Sequence, residues 1–235
     1  MPTTYLWTPP APPSLAVEGM TARFPVHRIF CVGRNYPAHA VEMGRPVDRR
    51  TARPFYFIKS SAHLVESGAA IPYPPGTGDF HYETELVVAL GASGFRIAPT
   101  DVHTLIFGHA CGLDLTRRDL QSVAKEEGKP WDLGKDFEQA AVCGPLRPLH
   151  GDTLPDRGSI SLEVNGERRQ SSDLSRMIWT VRELIADLST FYHLQPGDLI
   201  YTGTPEGVGP LHPGDRLEGE IEGVGRVRLS IDSPE

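Results

Sequence analysis

The chain has 235 residues, and 23 Lys and Arg against 30 Asp and Glu give it a formal net charge of −7. That balance argues against a general nucleic-acid binder, because neutralising phosphates takes a basic face. A 39% hydrophobic content excludes disorder throughout, while 24 Gly and 22 Pro predict many turns and short elements rather than an all-helical bundle.

Residues 1–27 carry Pro9, Pro10, Pro12 and Pro13 and are expected to form an extended N-terminal arm, leaving residues 28–235 as one domain. The first thirteen residues lack the basic and apolar regions of a secretory signal, and no run of eighteen apolar residues predicts a membrane span. Cys31, Cys111 and Cys143 are odd in number and show no CxxC spacing, which argues against disulfides and points to the reducing cytoplasm. Each is expected to be a small buried residue.

Ile29-Phe30-Cys31-Val32 reads as a buried strand ending at Gly33, and residues 39–43 as one or two helical turns. Residues 54–58 are aromatic and β-branched, hence a strand. After the Pro- and Gly-rich loop 72–79, residues 81–90 are expected to run as one strand into Gly91. Asp101 is expected to cap a helix starting near Val102, and residues 117–127 are the best helix candidate before Gly128. The C-terminal half predicts a strand over 160–164, an Asn165-Gly166 hairpin, a helix over 181–188, a strand over 199–202 and a closing strand, turn and strand over 215–231.

Three groups of residues carry chemistry. Glu83 and Glu85 are two apart in a strand-like run, so both carboxylates would project from one face beside Leu86, Val87 and Val88. Buried carboxylates so placed share a proton or gather a metal. With Asp114, itself in an apolar segment, they form an oxygen donor set suited to Mg²⁺ or Mn²⁺, and less tightly to Ca²⁺. The plainer alternative puts Glu83 and Glu85 on the wet face of an edge strand and Asp114 in a turn. His39 and Glu42, three apart in a helix, can pair so that the carboxylate raises the imidazole's basicity and a water becomes a nucleophile. Lys59 and Lys135 lie beside aromatic residues as possible anion-binding groups. The loop 202–210, rich in Gly and hydroxyls but without a P-loop ending, offers backbone N–H groups and a threonine hydroxyl to a small anion. A competing reading takes His81-x-Glu83 with a distant histidine such as His150 as a two-His, one-carboxylate iron site, which leaves Glu85, Asp114, His39 and Glu42 without roles.

Gly33-Arg34-Asn35-Tyr36, His39-x-x-Glu42, Phe57-Ile58-Lys59, His81-x-Glu83-x-Glu85-Leu86 and Gly112-x-Asp114-x-Thr116 occur in order. Arg118-Asp119-x-Gln121, Lys135-x-Phe137 and Thr202-Gly203-Thr204-Pro205-x-Gly207-Val208-Gly209 follow them. Together they resemble the fumarylacetoacetate hydrolase family over residues 28–231. Within it the chain is most similar to short acylpyruvate hydrolases, in particular those that cleave fumarylpyruvate in gentisate breakdown. The resemblance implies an α+β, β-rich fold, a mixed β-roll with short helices, and a homodimer. It further implies one Mg²⁺ or Mn²⁺ on Glu83, Glu85 and Asp114, with Ca²⁺ able to replace it in crystals, and a lid in which His39 and Glu42 assemble on closure. The implied reaction cleaves the C–C bond of a 2,4-dioxo acid, with Lys135 and Arg118 helping to stabilise a pyruvate enolate. Gln121 and Thr204 are expected to bind substrate, and Arg34 or Lys59 its far carboxylate. Oxaloacetate decarboxylation, or isomerisation or hydration of a related dioxo acid, fits the same ligands. An inert binding protein would need no water-activating pair. Ser60 and Tyr82 stand where many members carry Pro and His, at positions bordering the pocket.

Overall fold

The apolar runs become strands that are covered on both sides. In the computed structural model, which describes residues 3–151 and 153–235, Thr84–Leu90 is buried at every position. Side chains alternate across it as a pleated strand requires. Leu86, Val88 and Leu90 enter one apolar cluster, and Val87 and Ala89 enter another. A strand buried on both faces has no use for polar alternation, hence the continuous apolar run from Leu86 to Leu90.

This strand lies within an eight-stranded mixed sheet. The order is Phe55–Lys59, Ile29–Gly33, Leu199–Tyr201, Thr84–Leu90, Ile106–Asp114, Ala141–Cys143 and Leu64–Glu66, and Arg147–Pro148 also pairs with Ile106–Asp114. A five-stranded sheet, in the order Glu167–Asp173, Ser159–Val164, Arg216–Ile221, Gly225–Asp232 and Ala69–Pro72, covers one face. It joins Ile160, Leu162, Leu217 and Val227 to Leu86, Val88 and Leu113 in the larger cluster. The opposite face is covered by Leu15, Val17, Phe24 and Val26, where Ser14–Leu15 pairs antiparallel with Phe24–Pro25. Residues 3–12 are exposed. All three cysteines are buried, free thiols.

Among the described residues the α-helices are Pro37–Glu42 (α1), Arg118–Glu127 (α2), Asp132–Lys135 (α3) and Val181–Leu188 (α4). Mixed sheets with short helices are the β-rich architecture expected from the sequence. Among the described residues no helix is long and apolar enough to cross a membrane. Asn165 and Gly166, at φ 54° and 80°, make the expected tight hairpin turn.

Two local expectations are corrected. Residues 81–90 form two strands, because Phe80–Tyr82 belongs to a separate three-stranded sheet between Thr116–Arg117 and Gly209–Pro210. Glu83 sits at the break where the chain passes between sheets, so its relation to Glu85 is not that of two pleat neighbours. Asp101 precedes a short 3₁₀ helix, Val102–Leu105, and its side chain makes no cap bond. Its carboxylate accepts from the Thr100 hydroxyl at 3.1 Å.

Candidate active site

The sheet break brings three carboxylates together. Glu85 lies at the start of Thr84–Leu90, Asp114 at the end of the neighbouring Ile106–Asp114 strand, and Glu83 at the break. The Asp114 N–H donates to the Glu83 carbonyl at 2.9 Å and fixes the junction. Oxygen atoms of the three carboxylates all lie within 4.8 Å of one another. All three residues are buried, so the wet edge-strand alternative is excluded.

Each carboxylate has a different electrostatic setting. Burial opposes ionisation of Glu83, but the Lys135 ammonium and the Arg118 guanidinium overcome it and hold the carboxyl well below its ordinary range. Lys135 Nζ donates to Glu83 Oε2 at 2.7 Å, Asp114 Oδ2 at 2.9 Å and Thr116 Oγ1 at 2.8 Å, which commits all three of its hydrogens. Those carboxylates keep Lys135 protonated against its own burial. Arg118 binds the other Glu83 oxygen and donates to Gln121 Oε1 at 2.5 Å. Among the described residues Glu85 has no ion-pair partner. Burial, with Asp114 and Glu83 alongside, pushes its carboxyl well up, and its hydrogen bond comes from the Gly203 N–H at 2.8 Å.

Lys59 is fully buried. Its Nζ lies 2.9 Å from Asp114 Oδ1 but donates to the carbonyls of Leu115, at 2.9 Å, and Lys135. Asp114 Oδ1 is thus a buried oxygen with a cation beside it and no aligned hydrogen bond. The expectation that Lys59 meets the far end of a ligand is corrected: its charge is spent behind the carboxylates, and it does not line the cavity in front of them.

His39 and Glu42 pair as expected on α1. His39 Nδ1 is 3.0 Å from Glu42 Oε2, and Glu42 Oε1 accepts the Gly207 N–H at 3.0 Å. Burial alone would raise the Glu42 carboxyl, but the bonds to His39 and Gly207 bring it below its ordinary value. The loop 202–210 therefore offers its N–H groups, but to Glu85 and Glu42 of the protein rather than to a free anion. Gly203 and Gly207, at φ 97° and 91°, are needed here: a Cβ would meet Asn35 Cβ at 2.6 Å and the Arg169 carbonyl at 2.2 Å.

One cleft, about 540 Å³ of non-atom space with its open mouth included, gathers His39, Glu83, Glu85, Arg118, Gln121, Lys135, Thr204 and Arg34. Asp114 lies immediately behind. Thr204 Oγ1 accepts from Gln170 Nε2 at 2.9 Å, which leaves its proton to donate. Gln170 is a residue that sequence reasoning missed. Fully buried, it also accepts from the Thr84 N–H at 3.0 Å and donates to the Pro205 carbonyl at 2.9 Å. Asn35 likewise ties the 202–210 loop down, donating to the carbonyls of Thr202 and Trp179. Arg45 and Lys125 also line the cleft and were missed. The spacing of Arg118, Gln121 and Lys125, i, i+3 and i+7 on α2, carried a usable signal for Lys125.

The donor set fits a hard divalent cation: three convergent carboxylates, one with no cation partner and one with an unbonded buried oxygen. Among the described residues this is the sole cluster with metal-ligand spacing. His81 instead pairs with Asp79 at 2.8 Å, and among the described residues no group with metal-ligand spacing includes it, which removes the two-His iron reading.

Comparisons with known proteins agree with this geometry. Residues 28–232 match the family model described as fumarylacetoacetate (FAA) hydrolase C-terminal. A fumarylpyruvate hydrolase of Ralstonia sp. is 55% identical over 193 residues, covering 82% of this chain and 100% of that protein. An oxaloacetate tautomerase of Escherichia coli (strain K12) is 37% identical over 209 residues, covering 88% of this chain and 93% of its own. The crystal structure of fumarylpyruvate hydrolase from Pseudomonas aeruginosa in complex with Mn²⁺ and pyruvate is similar with a TM-score of 0.93. That chain is 44% identical, with 98% of this chain and 100% of the other covered.

Proposed function

The chain belongs to the fumarylacetoacetate hydrolase family, and from that premise we propose that it hydrolyses fumarylpyruvate to fumarate and pyruvate, using Mg²⁺ or Mn²⁺ held by Glu83, Glu85 and Asp114. The observation that carries this reading is a buried carboxylate triad opening on the same cleft as an imidazole paired with a carboxylate. When bound, the divalent ion supplies Lewis-acid charge against the 2-oxo acid end of the substrate.

The protein's own residues do the rest. Glu42 holds the Nδ1–H tautomer of His39, which leaves Nε2 to take a proton from water. The resulting hydroxide adds to the 4-oxo carbon, and the C3–C4 bond breaks to release fumarate and the enolate of pyruvate, which His39 can reprotonate at C3. Gln121, with its amide nitrogen unpartnered among the described residues, and the Thr204 hydroxyl are donors for substrate oxygens. Lys135, with every hydrogen committed, holds Glu83 and Asp114 in place and keeps positive charge beside the developing enolate. Lys59 positions Asp114 from behind.

We extend the reading to a homodimer in the cytoplasm that serves gentisate breakdown. Three free buried thiols are consistent with a reducing compartment. The test is release of fumarate and pyruvate by the purified protein before chelation, after it, and after re-addition of Mg²⁺ or Mn²⁺. Activity should vanish and return. Full activity after exhaustive chelation contradicts the metal assignment, and no product under any metal contradicts the substrate.

A further inference from the structure

The outer part of the cleft gathers three cations, offset only in part by Glu126 beside Lys125 on α2. Arg34, Arg45 and Lys125 line it together, from the loop after Ile29–Gly33, the segment after α1, and α2. Among the described residues none of the three forms an ion pair. Lys125 Nζ donates to the Met43 carbonyl at 2.9 Å, which leaves two of its hydrogens free. Arg34 has a buried Nε without a partner, and its guanidinium stands 6.0 Å over the Phe55 ring. Its backbone is left-handed at φ 57°, a conformation that costs energy in a non-glycine residue and is kept here at the mouth of the cleft.

Three like charges so gathered repel one another. Burial, and then the neighbouring Arg45, lower the proton affinity of Arg34. Burial, Arg45 and Arg34 do the same to Lys125. Other arginines of the chain meet carboxylates, as with Arg28 and Asp198 at 2.6 Å or Arg228 and Glu218 at 2.9 Å. An anionic group arriving from outside relieves the repulsion and satisfies the unpartnered donors.

We propose that Arg45 and Lys125, with Arg34, form a subsite for the distal carboxylate of the substrate and set a preference for dianionic acylpyruvates over neutral-ended ones. This rests on the reading of the triad end of the cleft as the 2-oxo acid site. The trans alkene of a fumaryl group is rigid, so it holds its carboxylate at a fixed reach from the reacting carbonyl, which is the situation a rim of fixed cations can exploit.

The test compares Arg45→Gln, Lys125→Gln and the double variant with the wild type on fumarylpyruvate and on acetylpyruvate, which ends in a methyl group. Loss of charge-assisted hydrogen bonds should lower the fumarylpyruvate to acetylpyruvate ratio of kcat/KM by about 10- to 100-fold, mostly through KM. A second readout needs no turnover: calorimetric binding of fumarate against crotonate, in which a methyl replaces one carboxylate. The wild type should prefer fumarate, and the double variant should lose that preference while its circular dichroism stays native. Unchanged ratios in both measurements overturn the subsite. Fumarylpyruvate hydrolysis without any charge preference overturns the subsite and leaves the activity standing. A fumarate preference that the variants abolish, in a protein that does not cleave fumarylpyruvate, supports the subsite and overturns the activity.

Discussion

At the scale of residues, the site is a buried cluster in which Glu83, Glu85 and Asp114 face Lys59, Lys135 and Arg118. Burial and its two acidic neighbours hold Glu85 toward its protonated form, so the three carboxylates match the three cations charge for charge only when a bound cation keeps Glu85 ionised. A divalent ion would leave the cluster two charges positive, which suits a 2-oxo carboxylate and the enolate charge that forms beside it. The balance is uneven, because Lys135 bonds Glu83 and Asp114 while Glu85 has only the Gly203 N–H. Gln170 secures the loop that provides that N–H. Its replacement by Ala would leave the Thr84 N–H and the Pro205 carbonyl unsatisfied in the interior. Unfolding in denaturant should show a loss of about 1–3 kcal/mol. The kcat should fall as well, because Thr204 loses its anchor; unchanged stability and unchanged kcat would show that the loop holds itself.

At the scale of elements, strands and helices with a strong local pattern were legible. The helix over 181–188 is α4 to the residue, stopped and started by its own chemistry, with a Thr180 and Glu183 capping box at its N-terminus. The helix expected over 117–127 is α2, ended by Gly128 in the left-handed region at φ 68°. Asn165-Gly166 gave its hairpin for the same reason: a dipeptide that tolerates positive φ at both positions. What was not legible depends on distant neighbours. Residues 81–90 look like one strand because nothing in their own composition records the change of partner at Glu83, where pairing moves from Thr116–Arg117 to Ile106–Asp114. Lys59 and Lys135 are indistinguishable in sequence as lysines beside aromatics, yet one lines the cleft and the other lies behind Asp114. Gln170 sits in a strand of exposed polar residues, Glu167–Asp173, with no motif to single it out. The donor residues of the triad were readable because burial of acidic side chains among apolar neighbours is costly enough to demand a reason.

At the scale of the whole molecule, an acidic chain of net charge −7 carries a cleft whose mouth is cationic. Charge of that sign at the entrance favours encounter with anionic substrates and makes the association rate fall as salt rises. The fold also has a pH limit on the acid side. His109, on the Ile106–Asp114 strand, has its proton affinity lowered below the ordinary 6.5 by burial and then by the charge of Arg147, and its Nδ1 has no partner among the described residues. The unfolded chain therefore binds the proton more readily, so the stability that neutral His109 contributes is present above pH 6.5 and is lost as pH falls below it. Melting temperatures at pH 7.5 and 5.5 should show a fall on acidification that is smaller in His109→Gln. An equal fall in both proteins would assign the acid sensitivity to other groups, of which His81, lowered by burial and by Arg118, is the first to examine.

The central claim is that His39, oriented by Glu42, activates the water while the carboxylate triad holds the metal. The most direct measurement is the rate of fumarylpyruvate hydrolysis by His39→Ala, taken together with its affinity for Mn²⁺ and with oxaloacetate conversion as the control reaction that needs no attacking water. Hydrolysis should fall by roughly 10²- to 10⁴-fold, the contribution of a general base, with Mn²⁺ affinity close to that of the wild type. Hydrolysis at the wild-type rate, or loss of Mn²⁺ as complete as in Asp114→Asn, would contradict the account.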